Sequence, residues 1–78
     1  MEIDGEVVIG REGADLTIAD PELSRHHALI RPVDGGVEIE DLGSTNGTYI
    51  GEQRLAEPTI LPAGTPVRIG QTVLELQR

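Results

Sequence analysis

The arginines are the side chains of this sequence best suited to bind an anion. All six basic residues are arginine, and Arg11 directly follows a glycine at the end of the strand-like run EVVI. Because a guanidinium presents a rigid fork of N–H donors, it matches the oxygens of a phosphate group. Gly10-Arg11 therefore suggests an arginine projected from a strand end toward an anion, although the pair alone is also typical of a solvated strand end.

Ser24, Arg25, His26 and His27 precede the apolar run ALI and bring a hydroxyl, a guanidinium and two imidazoles together. Adjacent histidines suggest a metal site, but consecutive side chains of an extended chain point to opposite faces, so His26 and His27 cannot easily share one ion. A hydrolytic triad of Ser24, His27 and Asp41 is conceivable, although no nucleophile-elbow pattern surrounds the serine. The interpretation we favour is structural: His27 holds the Ser24 loop by hydrogen bonds.

The segment from Asp41 to Thr48, DLGSTNGT, concentrates turn-forming and hydrogen-bonding residues. Asn46-Gly47 is a strong signal for a two-residue hairpin because both residue types tolerate positive φ, so a hairpin alone explains the pattern. The alternative is functional. Ser44 and Thr45, next to Asn46, add hydroxyl, amide and backbone N–H donors at an exposed tip, and such turns can form a concavity that binds an anion.

Short β-strands are the elements that must position these loops. Apolar residues alternate with polar ones in six runs, and no window of a dozen residues shows a helical period free of glycine or proline. The alternating apolar pairs are Val7 and Ile9, Leu16 and Ile18, Ala28 and Ile30, Val37 and Ile39, Val67 and Ile69, and Leu74 and Leu76. Turn signals separate the runs, including one from Gly64 onward that leads into the last two strands. The pattern predicts an all-β sandwich or barrel of antiparallel sheets.

Composition restricts the classes of function. Fourteen acidic residues give a formal net charge of −8, which disfavours binding to nucleic acids and anionic membranes. The absence of cysteine excludes disulfides and thiolate metal sites, and Tyr49, the only aromatic residue, offers no platform for stacking bases. Because no long apolar run or basic leader is present, we expect one cytoplasmic domain over residues 1–78. The arginine-only, alanine- and glycine-rich composition is weakly associated with a high-GC bacterial source.

Each of these features is weak alone, but their order and spacing are specific. The chain resembles the forkhead-associated (FHA) family over nearly its whole length. The matching elements are Gly10-Arg11, Ser24-Arg25 with His27, Asp41 to Thr48, and Gly64 with Ile69-Gly70. The resemblance implies an antiparallel β-sandwich of eleven strands that binds phosphothreonine peptides through loops at one end. It implies a binding module and not an enzyme, with no catalytic residue, cofactor or metal.

The resemblance also assigns roles by position. Arg11, Ser24 and Arg25 would contact the phosphate. Thr45 would help to hold it, and Asn46 would hydrogen-bond the peptide backbone. Four further residues would be architectural: Gly10, His27, Asp41 and Gly47. The chemistry agrees, because phosphothreonine carries about −1.5 to −2 charge and three acceptor oxygens, which arginine forks and a serine hydroxyl can satisfy. The implied partners are a phosphothreonine-containing protein or peptide and a Ser/Thr kinase or its substrate.

The chain departs from the family pattern in three places. Gly51 stands where the family often has asparagine and Thr65 where aspartate is common, and we expect both to affect turns more than phosphate binding. Only nine residues precede Gly10, which is enough for the second strand of the family but not for the first. We therefore expect an N-terminally short sandwich, either excised from a larger protein or completed by a strand from another chain.

Two other functions compete with phosphopeptide binding. An FHA-like scaffold could bind an unphosphorylated partner, or it could form a homo-oligomer in which the last strand, TVLEL, pairs between molecules, since an unpaired edge invites such pairing. The retained phosphate-site residues argue against a scaffold, which has no need of them. A hydrolase built on Ser24, His27 and Asp41 is the other alternative, and nothing in the resemblance supports it.

Overall fold

The computed structural model of the chain describes residues 5–76, and within that range it contains nine β-strands and no helix. The strands are β1 (Val7–Gly10), β2 (Leu16–Thr17), β3 (Ala28–Val33), β4 (Gly36–Asp41), β5 (Thr48–Ile50), β6 (Gln53–Arg54), β7 (Thr59–Leu61), β8 (Pro66–Ile69) and β9 (Thr72–Glu75). No helix of this region is therefore long and apolar enough to cross a membrane.

The strands form two sheets that face each other across one core. The five-stranded sheet has the order β2-β1-β3-β4-β7, and the four-stranded sheet has the order β6-β5-β8-β9. All neighbours are antiparallel except β1 and β2, which run parallel. The predicted all-β sandwich is thus confirmed, with nine strands in residues 5–76 where the family resemblance implied eleven.

The core is built from the alternating apolar residues of the sequence. Every one of the six predicted pairs packs into or against it, because side chains at every second strand position share one face. The fully enclosed members include Ile9, Ile30 and Ile39 of one sheet and Ile69 of the other. Full burial of such a side chain stabilises the fold by roughly 1.5–3 kcal/mol. Leu23, which lies outside the alternating runs, is also buried and anchors the loop before β3.

The hairpin expected at Asn46-Gly47 is wrong. The strands on either side of this turn, β4 and β5, belong to different sheets, so the chain crosses the sandwich here. A two-residue type I′ hairpin needs positive φ at both central residues, whereas Gly47 has φ +86° and Asn46 does not lie in that region. The turn from Gly64 into β8 and β9 follows the prediction.

The expected absence of the family's first strand concerns the N-terminal residues, which the structure describes only in part. β1 begins at Val7, while residues 1–4 lie outside the described range. β9, which contains most of the TVLEL run, is the last strand of the four-stranded sheet and pairs with β8. Among residues 5–76, β9 is the outermost strand of this sheet, which is the observation behind the strand-pairing hypothesis considered below.

Candidate functional site

Gly10 allows Arg11 to lie directly beside the loop that carries Ser24 and Arg25. The Arg11 backbone N–H donates to the Ser24 carbonyl at 3.0 Å, and the His27 N–H donates to the Ile9 carbonyl at 2.8 Å. A Cβ on Gly10 would overlap the carbonyl oxygen of Arg25, so no larger residue fits without moving the loop. The end of β1 and the loop before β3 are therefore held together by their main chains.

His27 connects this loop to the turn between β4 and β5. The imidazole is completely buried, its Nδ1 lies 3.2 Å from the Ser24 backbone nitrogen, and its Nε2 lies 2.8 Å from the Gly47 carbonyl oxygen. The backbone N–H of Ser24 can only donate and the Gly47 carbonyl can only accept, so Nδ1 accepts and Nε2 carries the proton. The hydrogen bonds thus assign a single tautomer and fix the spacing of the two loops.

Two further hydrogen bonds join the same loops at their exposed surface. The Thr45 N–H donates to the Ser24 hydroxyl oxygen at 3.1 Å, and the Asn46 side-chain amide donates to the Glu22 carbonyl at 2.7 Å. Because the Ser24 oxygen acts as acceptor toward Thr45, its own O–H remains a donor for a ligand. One of the two amide N–H donors of Asn46 is thus used inside the domain, and the amide oxygen can accept a hydrogen bond from a ligand N–H.

Asp41 organises the turn from within. Its carboxylate accepts hydrogen bonds from the backbone N–H and the hydroxyl of Ser44 and from the Thr48 hydroxyl, the last at 2.7 Å. Partial burial alone would raise the pKa of Asp41, but the hydrogen bonds from Ser44 and Thr48 outweigh it and hold the pKa below its ordinary value. The Ser44 hydroxyl oxygen in turn accepts from the Gly47 N–H at 2.9 Å. Asp41 therefore stabilises the turn in its charged form.

Asp20 performs a similar function that the sequence did not reveal. It accepts a hydrogen bond from the Glu22 N–H at 2.9 Å. It also accepts hydrogen bonds at 2.8 Å each from the Gln71 N–H of the β8–β9 turn and from the hydroxyl of Thr72, the first residue of β9. The Glu22 N–H and the Thr72 hydroxyl are the main reasons that the pKa of Asp20 lies below its ordinary value. Asp-Pro is a turn signal in the sequence, but a partner 51 residues away leaves no local pattern.

Arg11 and Arg25 differ in whether a carboxylate lies near the guanidinium group. Within residues 5–76, the Arg11 guanidinium is exposed and forms no ion pair. The Arg25 side chain is 74% exposed, and its Nε lies 3.8 Å from a carboxylate oxygen of Glu12, which is too long for a strong contact. Two guanidinium groups, the Ser24 hydroxyl and the exposed Thr45 thus present donors at one end of the sandwich.

The structure excludes the catalytic triad considered for Ser24, His27 and Asp41. Both ring nitrogens of His27 are committed to the backbone groups of Ser24 and Gly47, so neither is directed at the Ser24 hydroxyl as a general base. The two histidines also have separate environments, because the exposed His26 pairs its Nε2 with the Gly13 carbonyl at 3.1 Å while His27 is buried. No cluster of three or more metal-ligating side chains occurs in the described part of the chain.

The order and geometry of these loops agree with a known family. The profile of the FHA domain matches residues 7–70, which include every residue assigned to the candidate site. The chain belongs to the FHA family. Its sandwich is the FHA fold, and the expectation drawn from the motifs of the sequence is confirmed for family and architecture.

Known relatives of this FHA domain are found among curated proteins and solved structures. The domain is 43% identical over 72 residues to the FHA domain-containing protein FhaB of Mycolicibacterium smegmatis, a bacterial protein, and the match covers 91% of this chain and 46% of FhaB. The chain thus spans about half the length of the curated relatives it matches.

Two solved FHA structures superpose on this chain over most of its length. One, from an analysis of phosphothreonine-dependent FHA domain interactions, superposes with a TM-score of 0.80 at 30% identity and covers 91% of this chain and 74% of that one. The other, Mycobacterium tuberculosis EmbR in complex with a low-affinity phosphopeptide, superposes with a TM-score of 0.83 at 30% identity, over 94% of this chain and 20% of EmbR.

Proposed function

We propose that this FHA domain binds phosphothreonine-containing proteins or peptides through the loops that carry Arg11, Ser24, Arg25, Thr45 and Asn46. The guanidinium groups of Arg11 and Arg25 and the Ser24 hydroxyl grip the phosphate, with help from Thr45. A doubly charged phosphate suits this set, because charge-assisted hydrogen bonds from arginine are short and about twice as strong as neutral ones.

The observation that carries the proposal is the connection of three separate chain segments at one end of the sandwich. The Arg11 N–H is bonded to the Ser24 carbonyl, and the Ser24 hydroxyl oxygen is bonded to the Thr45 N–H. Donors from the end of β1, the loop before β3 and the β4–β5 turn are thereby pre-organised before a ligand arrives. Pre-organisation removes part of the entropy cost of binding.

Asn46 serves the peptide backbone next to the phosphorylated residue. Its amide nitrogen holds the Glu22 carbonyl at 2.7 Å, so the amide oxygen accepts an N–H of the bound peptide. His27, Asp41, Gly10 and Gly47 are architectural. They set the distance between the loops, which determines whether the donors converge on one phosphate.

The cellular setting of this function is signalling by Ser/Thr kinases in the cytoplasm, where ATP-dependent kinases produce phosphothreonine. The domain acts by binding and performs no catalysis. The solved FHA neighbours, one from an analysis of phosphothreonine-dependent interactions and one in complex with a phosphopeptide, support phosphopeptide binding.

A peptide library tests the proposal directly. Binding is measured for matched sets that contain phosphothreonine, phosphoserine or unmodified threonine at the same position. Only the phosphothreonine set is expected to bind well, and phosphoserine more weakly, because family members accommodate the threonine methyl group in a small pocket. Equal binding of the unmodified set would refute phosphate recognition and favour the scaffold alternative.

A second candidate function is self-association through β9. Within the described range, residues 5–76, β9 is the outermost strand of the four-stranded sheet, and its outward-facing Val73 is 61% exposed. Strand addition at such an edge supplies main-chain hydrogen bonds without a preformed pocket. Sedimentation at high protein concentration checks this function, and a monomer with β9 amides protected from exchange would contradict it.

A further inference from the structure

The outer face of the four-stranded sheet carries a straight row of four side chains, here called the Arg54 row. Tyr49 of β5 stands opposite Arg54 of β6 on one side and opposite Arg68 of β8 on the other, and Arg68 stands opposite Val73 of β9. Residues directly opposite each other in antiparallel strands point to the same face. The neighbours of Tyr49 in β5, Thr48 and Ile50, point inward, so the row faces solvent.

The Arg54 row is cationic and partly apolar. The Arg68 guanidinium lies over the Tyr49 ring with its carbon 4.3 Å from the ring centroid, and Val73 is 61% exposed beside it. Within residues 5–76, neither Arg54 nor Arg68 forms an ion pair with a carboxylate. Their side chains donate only long hydrogen bonds, to the carbonyls of Ser44 at 3.5 Å and Gly70 at 3.3 Å respectively. Most of their N–H donors are therefore available.

The row adjoins the phosphate-binding end of the sandwich. The Arg54 side chain packs against Gly47, where a Cβ would lie 2.6 Å from its Nε, and Gly47 immediately follows Asn46. The turn between β8 and β9 begins two residues after Arg68 and is bonded to Asp20 in the loop that leads to Ser24. A ligand chain that leaves the phosphate past Asn46 therefore meets Arg54 first.

We propose that the Arg54 row binds an acidic segment of the same phosphorylated partner, next to the phosphothreonine, a proposal that rests on the proposed function. Three strand spacings separate Arg54 from Val73, about 14 Å, which corresponds to four or five residues of extended chain. Glutamate or aspartate side chains of that segment pair with Arg54 and Arg68, and an apolar side chain covers Tyr49 and Val73.

Charge complementarity identifies this occupant. The domain has a net charge of −8, so its long-range field repels acidic chains and gives no general affinity for them. The opposite outer face provides a contrast, because Arg31 there lies near the carboxylates of Glu6, Glu38 and Glu40 at 3.6, 3.1 and 3.8 Å. On the two outer sheet faces within residues 5–76, the arginines of the Arg54 row have no carboxylate partner, so an acidic segment can approach their guanidinium groups at short range.

The test compares two phosphothreonine peptides that differ in a run of about five residues, all glutamate or all glutamine, placed on either side of the phosphothreonine. The general field of an acidic domain predicts weaker binding of the glutamate peptide. The Arg54 row predicts tighter binding on one side, by roughly two- to fivefold for each exposed ion pair. Whether the glutamate peptide binds more tightly or more weakly than the glutamine peptide therefore distinguishes the Arg54 row from the general field.

Matched variants locate the preference. Arg68→Gln and Arg31→Gln each remove one positive charge, on opposite faces of the sandwich, so only Arg68→Gln is expected to reduce the glutamate preference. An Arg54→Gln/Arg68→Gln double variant loses the preference while it binds the glutamine peptide as tightly as the original domain. Arg68→Lys retains much of the preference, because lysine keeps the charge and can still stack on Tyr49. Thermal unfolding of each variant confirms that the fold is intact.

The outcomes separate the two proposals. Equal binding of glutamate and glutamine peptides on both sides, or an undiminished preference in the double variant, overturns the role of the Arg54 row and leaves phosphothreonine binding untouched. Phosphate-independent binding of the glutamine peptide overturns the proposed function itself.

Discussion

The outer face of the five-stranded sheet and the loop end of the sandwich use arginine in opposite ways. On the sheet face, Arg31 is close to three glutamates, the nearest at 3.1 Å. At the loop end, Arg11 has no carboxylate partner within residues 5–76, although the chain contains 14 acidic residues. Exposed ion pairs contribute little to stability. The difference that matters between Arg31 and Arg11 is therefore whether the guanidinium can still bind a ligand. Arg11 is free to meet an incoming anion, whereas Arg31 is already surrounded by carboxylates.

The two regions also differ in how they are fixed. Arg31 lies on a regular ladder of backbone pairing between β3 and β4. The loop end depends on side chains that bond to main-chain groups of distant segments, with buried His27 at the centre. The loop end should therefore be the region whose disruption affects stability and binding together.

The largest expected effect is that of His27→Ala. The substitution leaves a cavity and removes the partners of the Ser24 N–H and the Gly47 carbonyl, so the free energy of unfolding should fall by about 3–5 kcal/mol. Arg31→Ala, on the other face, should cost about 1 kcal/mol or less. Denaturant unfolding of both variants measures the contrast, and similar losses for the two would remove the distinction between the regions.

Acid should weaken the loop end through Asp41 and Asp20. Their pKa values are lowered in the folded state, so the stability they add is present above the ordinary aspartate pKa of about 3.9 and is lost as pH falls through the folded values. Urea unfolding between neutral pH and about pH 2 should show this loss. Asp41→Asn should be less stable at neutral pH, and its stability should depend less on pH in the acid range. An unchanged pH dependence would contradict the assigned role of Asp41.

The smallest expected effect is that of Glu12→Gln. Glu12 lies 3.8 Å from the Arg25 guanidinium, and both side chains are well exposed. Its removal should free Arg25 and strengthen phosphothreonine binding by up to about threefold, since such pairs are weak. The control is Glu38→Gln, beside Arg31. It also removes one negative charge, but far from the site, and so measures the effect of net charge alone. An equal gain in both variants would show that the effect is not specific to Arg25.

Much of the sandwich was predictable because its physical basis is local. Alternation of apolar residues identified the core-facing positions of the strands, and Ile9, Ile30 and Ile69 are buried as that pattern requires. This alternation depends only on the face of a strand. The architectural role of Gly10 came from the family resemblance alone, and the structure gives the reason: a Cβ there would overlap the Arg25 carbonyl oxygen.

The connections between distant segments could not be predicted. Asn46-Gly47 has the sequence of a hairpin turn, but Asp41 captures Ser44 and Thr48 by hydrogen bonds, and the chain crosses to the other sheet. The bond from Asn46 to Glu22 spans 24 residues, and the bond from Gln71 to Asp20 spans 51. Contacts of this kind are set by the packing of the two sheets, which leaves no signal in a single sequence.

Phosphothreonine-peptide affinity of Arg11→Ala, measured side by side with that of Arg31→Ala, tests the central claim most directly. Each variant loses one arginine from the surface, so the change in net charge is the same. Loss of the charge-assisted hydrogen bonds of Arg11 should cost about 1.5–3 kcal/mol, or roughly 10- to 150-fold in affinity, while Arg31→Ala should bind almost as the original domain does. Equal affinities for the two variants would contradict the assignment of the loop end as the phosphate site.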